Sequence, residues 1–108
     1  MLDGRRQGPA RMRPVEISDF VWSEDRIAHI GRHNVEPEEF EEVCFGKALV
    51  LQAKSQGKNP VYYVLGQTEA GRHLFCVVIS FADGKGYPVT AREMTDGEKQ
   101  RYAGWKKA

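Results

Sequence analysis

Apolar positions first cluster at Val15, Ile17 and Phe20-Val21-Trp22, a grouping that predicts a short opening strand. Ser23 fits a helix N-cap, and Glu24 and Asp25 behind it stand where a helix dipole favours anions. Ile27 and Ile30 recur three apart and predict a short amphipathic helix, which Asn34 ends as a left-handed cap. Pro37 suits the first turn of a second helix. Its apolar stripe is Phe40, Val43 and Cys44, and its back is Glu36, Glu38, Glu39, Glu41 and Glu42.

After Gly46 the period shortens. Ala48 to Leu51, Val61 to Leu65, Leu74 to Ile79 and Tyr87 to Arg92 read as four strands. Turn-prone stretches at Ser55–Pro60, Thr68–Gly71 and Asp83–Gly86 separate them. The unbroken run Leu74-Phe75-Cys76-Val77-Val78-Ile79 predicts a central strand covered on both faces. Thr95-Asp96-Gly97-Glu98 is a capping box that opens a last helix, in which Glu98, Tyr102 and Trp105 share a face. Connections of hairpin length make the last four strands antiparallel neighbours. The expectation is an α+β domain over residues 15–108: an antiparallel meander with two short N-terminal helices and a C-terminal helix packed on one side. Residues 1–14, with Gly4, Gly8, Pro9 and Pro14 and little apolar content, read as a flexible basic lead-in outside the fold.

The 108 residues suffice for one domain, and 41% apolar content suffices for a small core. No apolar run is long enough to span a membrane, and the basic N-terminus is not followed by the apolar stretch of a secretory signal. Cys44 and Cys76 form neither a CxxC pair nor a disulfide framework, so a cytoplasmic protein with reduced thiols is expected. The net charge of +1 hides a partition. Residues 1–14 carry Arg5, Arg6, Arg11 and Arg13 against Asp3; residues 15–46 carry nine acids against Arg26 and Arg32; residues 47–108 carry ten bases against five acids. Such a chain can present a basic surface to a polyanion while staying near neutral overall, and it is equally what charged outer faces of helices produce.

His29 and His33 stand four apart, the spacing at which two imidazoles share a metal, but His-Ile-Gly-Arg-His lacks the Glu of a zinc-protease helix and a third ligand at a fitting spacing. No metal site is expected. Gly84-x-Gly86 joins two strands and reads as a hairpin tip, and Cys76 reads as a buried small hydrophobe. Cations remain: Arg72 opens the long apolar strand, Arg92 and Glu93 end the last one, and Lys99 and Arg101 follow on the helix with Tyr102. Guanidinium groups converging from strand ends bind phosphate bidentately, and Tyr62, Tyr63 or Tyr102 could stack a base. From pattern alone the same residues fit a solvated charged surface over a core Tyr102 better.

Four segments in order, Val21–Glu24, Arg32–Val43, Leu65–Leu74 and Thr90–Tyr102, together resemble the BrnT-like toxins of bacterial type II toxin–antitoxin pairs, a branch of the RelE-like ribonuclease fold. Val21-Trp22-Ser23-Glu24 is similar to the family's Phe-x-Trp-Asp start. Arg32-His33-Asn34-Val35 with Glu38-Glu39-Phe40-Glu41-Glu42-Val43 is similar to its Lys-His-Gly-Val and Glu-rich helix. Leu65-Gly66 through Gly71-Arg72-x-Leu74 is similar to the segment where the family places Gly, then Gly-Arg-x-Leu, and Thr90-Ala91-Arg92-Glu93-Met94-Thr95 with Glu98, Arg101 and Tyr102 resembles its Ser-Ala-Arg-x-x-Thr-x-x-Glu-x-x-x-Tyr ending. Asn34 replaces the family's helix-ending Gly, Thr90 replaces its Ser, and Gly97 lies inside the last helix.

The resemblance implies a translation-blocking endoribonuclease that needs no metal or other cofactor and is neutralised by a DNA-binding antitoxin, in a 2:2 complex. It implies Arg72 and Arg92 as a phosphate clamp, His33 as proton shuttle unless it only caps the helix end, Glu93 as base ahead of Glu98, which the capping box also explains, and Lys99, Arg101, Tyr102 and Arg32 as RNA contacts. The altered Arg-His-Asn and Thr-Ala-Arg motifs leave open a second reading, an interaction module that binds its partner without catalysis. A third makes residues 1–14 a salt-sensitive nucleic-acid anchor.

Overall fold

The computed structural model describes Met12, residues 15–55 and residues 57–108. The elements run β1 (Asp19–Phe20), α1 (Glu24–Gly31), α2 (Pro37–Phe45), β2 (Leu49–Gln52), β3 (Val61–Gln67), β4 (His73–Ser80), β5 (Lys85–Glu93) and α3 (Asp96–Lys107). Most of the segment expected as a flexible lead-in lies outside the described residues. Met12 is within them, fully buried, and its amide donates to the Ile17 carbonyl at 2.8 Å.

Local chemistry accounts for the element ends. Ser23 Oγ accepts the Arg26 amide at the start of α1, and Asn34 takes a left-handed φ of 61° in the turn after it. Pro37 occupies the first turn of α2, where its missing N–H costs nothing. Thr95 and Glu98 form the reciprocal capping box at α3, with Glu98 N–H to Thr95 Oγ1 at 3.2 Å and Thr95 N–H to Glu98 Oε1 at 2.9 Å.

Strands β2 to β5 are antiparallel neighbours, and β1 lies parallel to β5 on its far side, giving the order β1-β5-β4-β3-β2. The expectation of a purely antiparallel meander is therefore corrected to a mixed five-stranded sheet within an α+β fold. The reason lies in the connection: both helices separate β1 from the hairpin-linked strands, so no tight turn sets its direction, and a parallel pair needs such a crossover. Phe20 secures it. Its ring packs over Gly86, where an added Cβ would meet ring carbons at 2.7 and 2.8 Å, so only glycine admits the approach.

The sheet has two unlike faces. Val64, Leu74, Cys76, Val78 and Ala91 join Phe20, Ile30, Phe40, Val43 and Cys44 in the main core beneath α1 and α2. Phe40 meets both Phe20 and Trp22 edge-on at centroid separations of 5.3 and 5.4 Å. Burial, then contact with Cys76, pushes the Cys44 thiol well above its ordinary pKa, so both cysteines act as core hydrophobes. A smaller cluster on the other face joins Leu49, Leu65, Met94 and Tyr102, with Leu51, Phe75 and Trp105 against them. Helix α3 thus packs across the sheet from α1 and α2, not beside them. It also leaves β4 alternating: Leu74, Cys76 and Val78 are buried, while Phe75, Val77 and Ile79 are half-exposed. The apolar run is not covered on both faces. Among the described residues no helix is long and apolar enough to cross a membrane.

Candidate functional site

The turn from β3 into β4 is built to present Arg72. Thr68 N–H bonds the Arg72 carbonyl at 2.9 Å, Thr68 Oγ1 accepts the Arg72 amide at 3.0 Å, and Gly71 supplies the φ of +94° that closes the loop. The guanidinium then reaches three elements. Nη1 donates to the Asn34 carbonyl at 2.6 Å and to Glu39 Oε1 at 2.9 Å, and Nε donates to Glu93 Oε2 at 3.2 Å. Burial works against the charge, but hydrogen bonds to Glu39 and Glu93 outweigh it and raise the Arg72 pKa. Arg72 is therefore a fixed, permanently charged post. Among the described residues its Nη2 carries no hydrogen bond.

Beside that post lies a hollow of about 230 Å³ lined by Gly71, Arg72, His73, Glu93 and Lys99. Three of the residues singled out in the sequence, Arg72, Glu93 and Lys99, meet there from the ends of β4 and β5 and from α3. The Glu93 side chain is 66% exposed, so its carboxylate stays open to an incoming ligand while one oxygen holds Arg72. His73 was not singled out. Its only signal in the sequence is adjacency to Arg72, and its ring is held edge-on to Tyr102 at 5.9 Å.

Arg92 goes elsewhere. It pairs with Phe75 in the ladder, and its guanidinium lies 4.3 Å over the Phe75 ring on the α3 face. Glu98 takes it bidentately, at 2.8 and 2.9 Å, and Nη1 also donates to the Glu93 carbonyl at 3.0 Å. The Arg92 hydrogen bonds hold the Glu98 carboxyl below the usual carboxylate range, and the same bonds raise Arg92. Arg72 is drawn to the α1–α2 layer and Arg92 to α3, so the two do not form the expected clamp. The physical reason is strand alternation: Arg92 shares the face of Phe75, whereas Arg72 is in step with Leu74 on the other.

The remaining expected residues scatter. His33 and Arg32 are exposed at the end of α1, with the His33 ring 6.1 Å from that of His29. His29 instead shares a 3.1 Å hydrogen bond with Thr90 Oγ1 on β5. Arg101 is exposed on α3. Tyr102, expected as an RNA contact, is corrected to a core residue: it is 3% exposed, it donates to the Lys47 carbonyl at 3.3 Å, and burial raises its pKa. A buried ring offers no face to a base. Among the described residues no group of three or more His, Cys, Asp or Glu could hold a metal. Compared with known proteins, the chain matches no protein-family model and no curated protein.

Proposed function

We propose that this chain is a small cytoplasmic RNA-cleaving protein of the BrnT-like toxin type, held in check by a DNA-binding antitoxin, with its site in the hollow at the ends of β4 and β5. The observation that carries this reading is that Arg72, Lys99, Glu93 and His73 line one space of about 230 Å³. That set is what metal-independent phosphodiester cleavage requires. Glu93 takes the proton of a ribose 2′-hydroxyl, whose oxygen attacks the adjacent phosphorus. Arg72 Nη2 and Lys99 stabilise the crowded phosphorane, and His73 protonates the departing 5′-oxygen. The products are a 2′,3′-cyclic phosphate and a free 5′-hydroxyl. Relative to the sequence expectation, Arg92 and His33 leave the catalytic set and His73 enters it.

The test is cleavage of single-stranded RNA in excess EDTA, with the cyclic phosphate identified by mass spectrometry. Loss of general acid–base catalysis in Glu93→Gln and His73→Asn should each slow cleavage by about 10²-fold or more. Cleavage that EDTA abolishes, or that both variants retain, refutes the assignment.

A specific observation favours the second reading, an interaction module without catalysis: Arg72 is already tied between Glu39 and Glu93, and Arg92 to Glu98. On that reading expression without the partner leaves growth unaffected, and purified protein leaves RNA intact.

A further inference from the structure

The two edges of the sheet are finished differently. On the β5 side, β1 pairs with Lys85 and Gly86, and beyond it α1 lies along the strand with Arg26 Nη1 donating to the Val89 carbonyl at 2.8 Å. The outer side of β5 is thereby covered. On the other side β2 pairs only with β3 among the described residues. The Ala53 amide donates to the Val61 carbonyl at 2.8 Å, so alternation along the antiparallel ladder turns the N–H and C=O groups of Leu49 and Leu51 toward β3 and those of Val50 and Gln52 outward. Natural edges are blunted by charge, proline or bulges, yet Leu49-Val50-Leu51-Gln52 has no charge and no proline, and its register with β3 is unbroken.

Two further features adjoin this edge. A cavity of about 540 Å³ opens beside Val50 and Gln52, with Val15, Tyr62, Phe81 and the acidic Glu16 among its walls. Lys47 and Lys54, both exposed, bracket the strand at its two ends. Strand addition draws affinity from backbone hydrogen bonds and specificity from pockets that take alternate side chains. We propose that the β2 edge binds an extended peptide segment of a partner protein as a sixth strand, one that places an apolar side chain in this cavity and acidic residues against Lys47 and Lys54. This inference is independent of the nuclease reading, whose hollow lies at the ends of β4 and β5.

Amide hydrogen exchange followed by NMR tests the edge directly. In the free protein the Val50 and Gln52 amides should exchange fast while Leu51 is protected, and both should gain protection when acetyl-Asp-Val-Thr-Val-Thr-Val-Asp-amide is added. Val50→Pro removes an outward N–H without breaking the β3 ladder, so the variant should fold and bind the fluorescein-labelled peptide at least about tenfold more weakly. The double change Lys47→Glu with Lys54→Glu should weaken this peptide and strengthen one with lysine ends. Should Val50→Pro not fold, Gln52→Pro and the exchange data on the unaltered chain still decide. Slow exchange at Val50 and Gln52 in the free protein, undetectable binding of the peptide, equal binding by the proline variants, or protection that instead tracks protein concentration as self-association each overturns the proposal.

Discussion

Removing the Glu98 carboxylate should cost this fold about 1.5 kcal/mol, a figure that can be assembled from its contacts. Glu98 accepts from Arg92 at 2.8 and 2.9 Å and from the Thr95 amide at 2.9 Å. Loss of the reciprocal cap in Glu98→Ala accounts for roughly 0.5–1 kcal/mol. The ion pair lies between side chains 40% and 24% exposed, so screening holds its share to roughly 0.5–1 kcal/mol. Arg92 is left over the Phe75 ring but still in reach of water, so no further penalty for a buried charge applies. Urea unfolding followed by the fluorescence of Trp22 and Trp105 measures the loss, and a melting curve should shift by about 6 °C.

Glu98→Gln keeps a capping side chain and loses the charge, and should cost about half as much. A double-mutant cycle with Arg92→Ala should return a coupling of roughly 0.5–1 kcal/mol. The pH dependence follows from the lowered carboxyl pKa of Glu98. Its stabilisation is complete above the unfolded-state value of about 4.3 and disappears as pH falls through the lower folded-state value. The gap between the original protein and Glu98→Gln should therefore close in acid. A gap that stays constant down to about pH 2, or a Glu98→Ala loss below about 0.5 kcal/mol, would refute the partition between cap and ion pair.

Gly86→Ala should destabilise by about 1–3 kcal/mol in urea unfolding, because its Cβ would meet the buried Phe20 ring at 2.7 Å. Phe40→Ala should cost about 3–5 kcal/mol by the same measurement, since it empties the centre of the aromatic group formed with Phe20 and Trp22. Tyr102→Phe should cost only about 0.5–1.5 kcal/mol and leave RNA affinity unchanged in a filter-binding assay, because the hydroxyl faces the Lys47 carbonyl, not a ligand.

Short-range chemistry was legible in the chain. Ser23, Pro37 and the Thr95–Glu98 box set helix starts, Asn34 took the left-handed turn, and the strand positions followed alternation and turn residues. Each of these depends on groups within a few residues of one another, so the sequence carries the whole interaction. The candidate site was legible only in part: Arg72, Glu93 and Lys99 could be named from their places at strand ends and on the last helix, but their company could not.

What tertiary structure alone decided is whatever depends on packing across the sheet. Two helices intervene between β1 and its partner, and it pairs where Phe20 finds Gly86, in parallel with β5. Helix α3 crosses to the face opposite α1 and α2, which buries Tyr102 and carries Arg92 onto Phe75 and Glu98. Arg72 and Arg92 read alike as strand-end cations; strand alternation and the helices on each face send one to Glu39 and the other to Glu98. A linear pattern specifies which residues share a face of their own element, but the identity of the layer covering that face is settled only when distant segments compete to bury it.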